Sequence, residues 1–282
     1  MKIKKKFCII ILYALATLSV TCIGPLYAQK QSHDTKKCPR KGDLLHKGAR
    51  FMGEIVIDAL DINYNLLSVN SAKIITAFIP LYLMTRYFDE TIQHNFYDKH
   101  LHKNINQFPR AAHQAAKYGV GIPMVTLSSL AILGPTPDLR MTGRIFAIAL
   151  PFVHSGKDII KKMNFHACLR PWHEDFDQHH RSTGGFPSGH MANVTFMATL
   201  FGMRYGPRWA IPLSLLASFV GADFINCNRH YASQLIAGAG LGVMFAYAVN
   251  NVITKKLSYT KDLMVTYHMH QGLPEVAMSY RF

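Results

Sequence analysis

Acidic residues are scarce in this chain: 16 Asp and Glu stand against 31 Lys and Arg, a formal charge of +15 over 282 residues. The imbalance turns attention from cationic partners to an anionic one, such as nucleic acid, an acidic membrane surface or a phosphorylated substrate. Basic runs interleaved with aromatics are missing outside the N-terminus, and no nucleic-acid motif is present, so a nucleic-acid partner is not expected. Cysteine is also sparse, with five in the chain. Removal of the first 28 residues would leave Cys38, Cys168 and Cys227, an odd set that allows at most one bridge and excludes a disulfide framework. Cys168 and Cys227 read as buried thiols. No helical HExxH and no Cys pair fixes a metal geometry, so neither a metal nor any other cofactor is expected. The loop WHEDFDQHH, Trp172 to His180, reads instead as solvated chain over a pocket mouth.

Long hydrophobic runs are missing too. KIITAFIPLYLM and RIFAIALPFV are nearer a dozen residues between charges, whereas a membrane-spanning helix needs about 20. Mean hydropathy is only +0.08. Apolar stretches do recur near residues 72–85, 118–134, 143–155, 191–203, 209–225 and 235–253, separated by Pro, Gly and charge clusters. We therefore expect an all-α fold, a six-helix bundle over residues 72–254. The expectation is a bundle buried in itself and membrane-associated, ahead of a polytopic protein. In the last helix Gly238, Gly242 and Ala246 fall four apart, a face that admits a neighbouring backbone. Beyond it, residues 255–282 place a Gly-Pro turn between the alternating segments DLMVTYHMH and EVAMSYRF, the pattern of a short β-hairpin tail.

The first 28 residues, four lysines followed by an apolar run, Gly24-Pro25 and Ala28, have the layout of a bacterial export signal or an N-terminal anchor. Residues 29–71 then read as a polar leader and N-terminal extension. Three crossings after a cleaved signal would leave the loop around residues 157–190 in the cytoplasm. Either the signal stays as an anchor or the helices do not all cross. A cell-envelope location, periplasmic or in the inner membrane with the site facing the periplasm, is expected.

The chemistry concentrates in three short segments. FPSGHMANVTFM carries His190 into the first turn of an apolar helix, Arg170-Pro171 lies 20 residues earlier, and CNRHYASQLIAGAGLG places His230 just before the last helix. A guanidinium fork grips phosphate-like oxygens, helix N-terminal N–H groups aim at an anion, and imidazoles attack or donate protons near neutral pH. Ser188 adds a hydroxyl and Gly189 an unhindered N–H. Lys162 in KDIIKK either joins this set or forms a solvated helix end.

The ordered trio of RP, FPSGH and a histidine before a Gly/Ala-rich helix resembles the signature of the type-2 phosphatidic acid phosphatase and vanadium haloperoxidase superfamily. The resemblance implies an all-α bundle, no required metal for the phosphatases, and transfer through a phosphohistidine. It would make His230 the nucleophile and His190 the proton donor to the leaving oxygen. Arg170, Ser188, Gly189 and Lys162 would bind the phosphoryl oxygens. Three positions depart from the family pattern. Seven residues rather than six separate Lys162 from Arg170; Phe224 stands where a phosphate-binding Arg is usual, and Gln234 where an Asp is usual. Arg229, the immediate neighbour of His230, would not face the same way on regular structure. The expected function is a phosphatase for a lipid phosphate or small phosphomonoester. The alternative, motivated by Phe224 and Gln234, is a degenerate anion-binding or structural envelope protein.

Overall fold

The computed structural model describes residues 41–96, 108–162, 170–171, 184–226, 229–270 and 273–280. The export signal or anchor, Trp172 to His180, Cys38, Cys168 and Cys227 lie outside the described residues.

Among the described residues the chain is helical up to a terminal hairpin. Helix α1 (Lys41–Leu66) is followed by α2 (Val69–Tyr87), α3 (Asp89–Phe96), α4 (Phe108–Leu133), α5 (Pro137–Lys162), α6 (Gly189–Tyr205), α7 (Pro207–Asn226) and α8 (Ala232–Asp262). Strands β1 (Leu263–His270) and β2 (Leu273–Tyr280) pair antiparallel with Leu263 opposite Tyr280. The six expected stretches correspond to α2 and α4 to α8. Within residues 29–71, read as a polar leader and N-terminal extension, the structure forms helix α1. Its inner stripe is Ile55, Asp58, Ala59, Ile62 and Leu66, and Ile62 is fully buried. An acid in the middle of the stripe disguised the helical period, but Asp58 is buried because Arg144 and Lys256 both pair with it.

Helix α6 is the centre of the bundle. Val194, Phe196, Met197, Leu200 and Phe201 are all fully buried, the pattern of a helix enclosed on every side. Phe146 of α5 stacks on Phe196 at 5.0 Å and meets Phe201 edge-on at 5.6 Å. Gly206, with φ 79°, ends α6, and Pro207 starts α7, where a missing N–H costs nothing. Ion pairs Arg204–Asp138, Arg144–Glu54, Arg144–Asp58 and Lys256–Asp58 fix one end of this framework. At 1.5 Å per residue, Arg144 and Lys157 on α5 are about 20 Å apart along the helix, so the end of α5 that carries Lys157 is a separate locus.

The expectation of a bundle buried in itself does not hold on its outer side. Helices α7, over its 20 residues, and α8, over Ala232–Ser258, are long and apolar enough to cross a membrane, and Phe51–Leu66 with α2, bent by 50°, passes as one broken span. The outward face of α7 carries Ile211, Leu215 and Phe219, all about half exposed or more. Short apolar runs misled because the spans continue through Ser, Gly, Ala and Asn, which dilute hydropathy without adding charge.

Candidate active site

Away from those ion pairs, the end of α5, the start of α6, the end of α7 and the start of α8 meet. Arg170 ties three of the sequence segments together: its Nη1 donates to the Arg229 carbonyl at 2.9 Å and its Nη2 to the Gly184 carbonyl at 3.4 Å. The Ser188 N–H donates to the Gln234 carbonyl at 3.0 Å, joining the PSGH turn to the first turn of α8. Of the five guanidinium N–H donors, two are spent on backbone, which leaves others for an anion. Burial, and then the charge of Arg229, hold Arg170 below the ordinary guanidinium value.

His230 is buried. Its Nδ1–H donates to Gln234 Oε1 at 3.2 Å, and that oxygen also accepts the Tyr231 N–H at 3.3 Å. The tautomer so fixed leaves the Nε2 lone pair available. Burial, then the Arg170 charge, push the imidazole down to about 3; the Gln234 hydrogen bond opposes them, and Lys161 and His190 add to the depression. The ring is therefore neutral, as a nucleophile must be.

Phe224 lies between the two histidines. Its ring meets His190 edge-on at 5.1 Å and His230 at 5.5 Å. Where the family pattern has a cation, an apolar ring spaces the two imidazoles. Ser188, at the N-cap of α6, makes no cap bond with its side chain; its hydroxyl is fully buried and has no hydrogen-bond partner among the described residues. Such a group is costly unless a ligand satisfies it.

The sequence-predicted residues Arg170, Ser188, Gly189, His190 and His230 come together here. Lys162 is exposed, and the lysines turned to the site are its neighbours. A β-carbon on Gly189 would lie 2.6 Å from Lys157 Cδ and 3.2 Å from its Nζ, so the Lys157 stem crosses over Gly189 and brings the ammonium to the N-terminus of α6. Lys161 is the lysine whose charge acts on His230. Positions 157 and 161 share a helical face, and 162 is rotated about 100° away. Arg229 is exposed and sits with His230 in a bend, and its charge acts on Arg170. Among the described residues no group of three His, Cys, Asp or Glu side chains is placed to hold a metal ion.

This cationic hollow with paired imidazoles coincides with a known family segment: the family model of the PAP2 superfamily matches residues 144–258. Over that segment the chain is similar to the PAP2 superfamily. A lipid A 1-phosphatase from Porphyromonas gingivalis is 38% identical over 101 residues, covering 30% of this chain and 23% of the relative. The chain thus matches under a quarter of that relative's length. A solved structure, the first transmembrane PAP2 type phosphatidylglycerolphosphate phosphatase from Bacillus subtilis, covers 62% of this chain and 96% of its own at 15% identity, with a TM-score of 0.31. Every residue of the PAP2 segment discussed above, from Arg144 to Lys256, lies within the match. Helices α1 to α4 precede it.

Proposed function

We propose that the protein is a membrane-associated lipid phosphatase of the cell envelope that hydrolyses a phosphomonoester through His230. The single observation that carries this reading is the meeting of a neutral, oriented His230, His190 and Arg170 with the unpartnered Ser188 hydroxyl at the start of α6. The PAP2 match and the lipid A 1-phosphatase relative support a lipid-linked phosphate as the substrate class.

In the first step His230 Nε2 attacks phosphorus, an N–P bond forms, the ester P–O bond breaks, and protonated His190 gives its proton to the leaving alkoxide. Water then attacks the phosphohistidine, His190 takes the water proton, the N–P bond breaks and inorganic phosphate leaves. Arg170, Ser188, the Gly189 N–H and Lys157 take the phosphoryl oxygens. The Lys157 ammonium, which also pairs with Asp158 at 3.5 Å, and the positive end of α6 together favour an oxyanion between them. Gln234 orients His230 as a neutral acceptor, and charge-assisted bonds are roughly twice as strong. Turnover is accordingly expected to be slower than an aspartate at that position would give.

The test uses full-length protein in detergent micelles with dioctanoyl phosphatidic acid and, separately, para-nitrophenyl phosphate. Phosphate release is expected, and His230→Ala should reduce it by about 10³-fold or more with the helical circular dichroism unchanged. A parent protein that releases no phosphate, or a His230→Ala variant that keeps its rate, overturns the reading.

A further inference from the structure

The turn that bears His230 is held from outside the family-matched segment. Asp89, the first residue of α3, is buried. Its Oδ1 accepts the Ser233 N–H at 2.9 Å and its Oδ2 accepts the Ser233 hydroxyl, so one carboxylate from α3 satisfies the first turn of α8. Arg86 pairs with the same carboxylate at 3.0 Å and lies over the Tyr231 ring at 5.8 Å. The Tyr231 hydroxyl donates to Glu90 Oε1 at 2.9 Å. On the other flank of the turn, Gln93 donates to the Ile225 carbonyl at 2.9 Å and Asn226 donates to the Phe96 carbonyl at 3.0 Å. Both approaches to His230, the end of α7 and the start of α8, are therefore fastened to one short helix.

We propose that Asp89, supported by Arg86 and Glu90, is a positioning residue that holds His230 in the hollow by anchoring the α7–α8 turn to α3. Among the described residues, His230 itself is hydrogen-bonded only to the Phe224 carbonyl, 3.2 Å from its backbone nitrogen, and to the neutral amide of Gln234. Neither bond fixes the turn relative to α6. A negative charge at the N-terminus of α8 also complements that helix's dipole, so Asp89 is stabilised where it anchors. The sequence separation of 144 from Asp89 to Ser233 makes this contact long-range, and it draws the N-terminal helices into the catalytic unit.

The role of His230 in catalysis rests on the reading above, so the experiment has an arm that does not need turnover. Full-length parent and Asp89→Ala proteins in detergent are treated with diethyl pyrocarbonate, and modification of His230, His190 and His154 is followed by peptide mass spectrometry. In the parent, buried His230 should react slowly. Asp89→Ala should raise its rate at least five-fold relative to His154, and should lower kcat for phosphate release with KM within about two-fold. Asp89→Asn keeps an acceptor for the Ser233 N–H and should restore most of the protection. Tyr231→Phe, which removes only the bond to Glu90, should raise His230 modification about two-fold and remains informative if Asp89→Ala does not fold. Unchanged His230 modification in these variants, or an equal rise at all three histidines, overturns the proposal. Deprotection of His230 in a protein whose parent releases no phosphate supports the anchoring and rejects the phosphatase reading alone.

Discussion

At the scale of single residues, the governing feature is an imidazole kept neutral by its surroundings. An unfolded chain protonates His230 near pH 6.5, while the folded protein resists until about 3. Between those values the unfolded state binds more protons, so stability falls as pH drops through the window and returns as pH rises. At pH 5 the contribution is about 2 kcal/mol. Thermal unfolding in detergent between pH 7 and pH 5 should show this slope in the parent and a flatter one in His230→Gln. Parallel curves would show that residue 230 does not titrate in the unfolding equilibrium. Phe224 contributes to the same effect, because its ring against His230 excludes water that would solvate the charged imidazole. Among the described residues, Arg170 with Lys157 and Lys161 of α5 bring positive charge to the hollow, on a different helix from position 224.

Among the helices, close approach of α8 to α6 decides where the PSGH turn lies. A β-carbon at Gly238 would fall 2.4 Å from the Ser188 carbonyl oxygen, and one at Gly242 would fall 2.4 Å from the Ala192 carbonyl oxygen. Both obstacles are backbone, which has no rotamer to change. Gly238→Ala should therefore cost about 2 kcal/mol or more and reduce activity by displacing Ser188. Gly121→Ala on α4, where a β-carbon meets nothing within 4 Å, should be neutral or stabilise by up to about 1 kcal/mol. Paired melting curves and phosphate-release assays on the two variants provide the check; equal melting temperatures would contradict the steric argument. The four-residue spacing of small residues made this packing face legible in the sequence, and the six apolar stretches marked the helices around it. The order of RP, PSGH and His230 likewise foretold which side chains meet. Counting along the chain did not identify Lys157 or Lys161, because facing depends on helical phase and not on distance from Arg170. Asp89 left no trace, since its partner is 144 residues away and a lone acid at a helix start has many ordinary explanations. Helix α1 was obscured by Asp58, whose burial makes sense only with Arg144 and Lys256 in place.

For the molecule as a whole, the deciding question is what covers its apolar outside. Ile211, Leu215 and Phe219 repeat every four residues along α7 and are 59%, 66% and 49% exposed. A stripe of that length on a helix with the reach to cross a bilayer would be unfavourable in water and satisfied by lipid tails. Exposed Ile75, Ile79 and Leu83 on α2 give a second such surface. The polar hollow with Arg170, Lys157 and Lys161 lies at the ends of these helices, the position that the proposed lipid phosphatase reading requires for a phosphate whose chains stay in the bilayer. This predicts that α7 contacts acyl chains in the native protein. In a background with Trp172→Phe and Trp209→Phe, the replacement Phe219→Trp adds one reporter at the middle of the stripe. Its fluorescence in reconstituted vesicles should be strongly quenched by lipids brominated on the acyl chain and little by aqueous iodide. The reverse pattern would place α7 in water and require a protein surface, not a membrane, against its outer face.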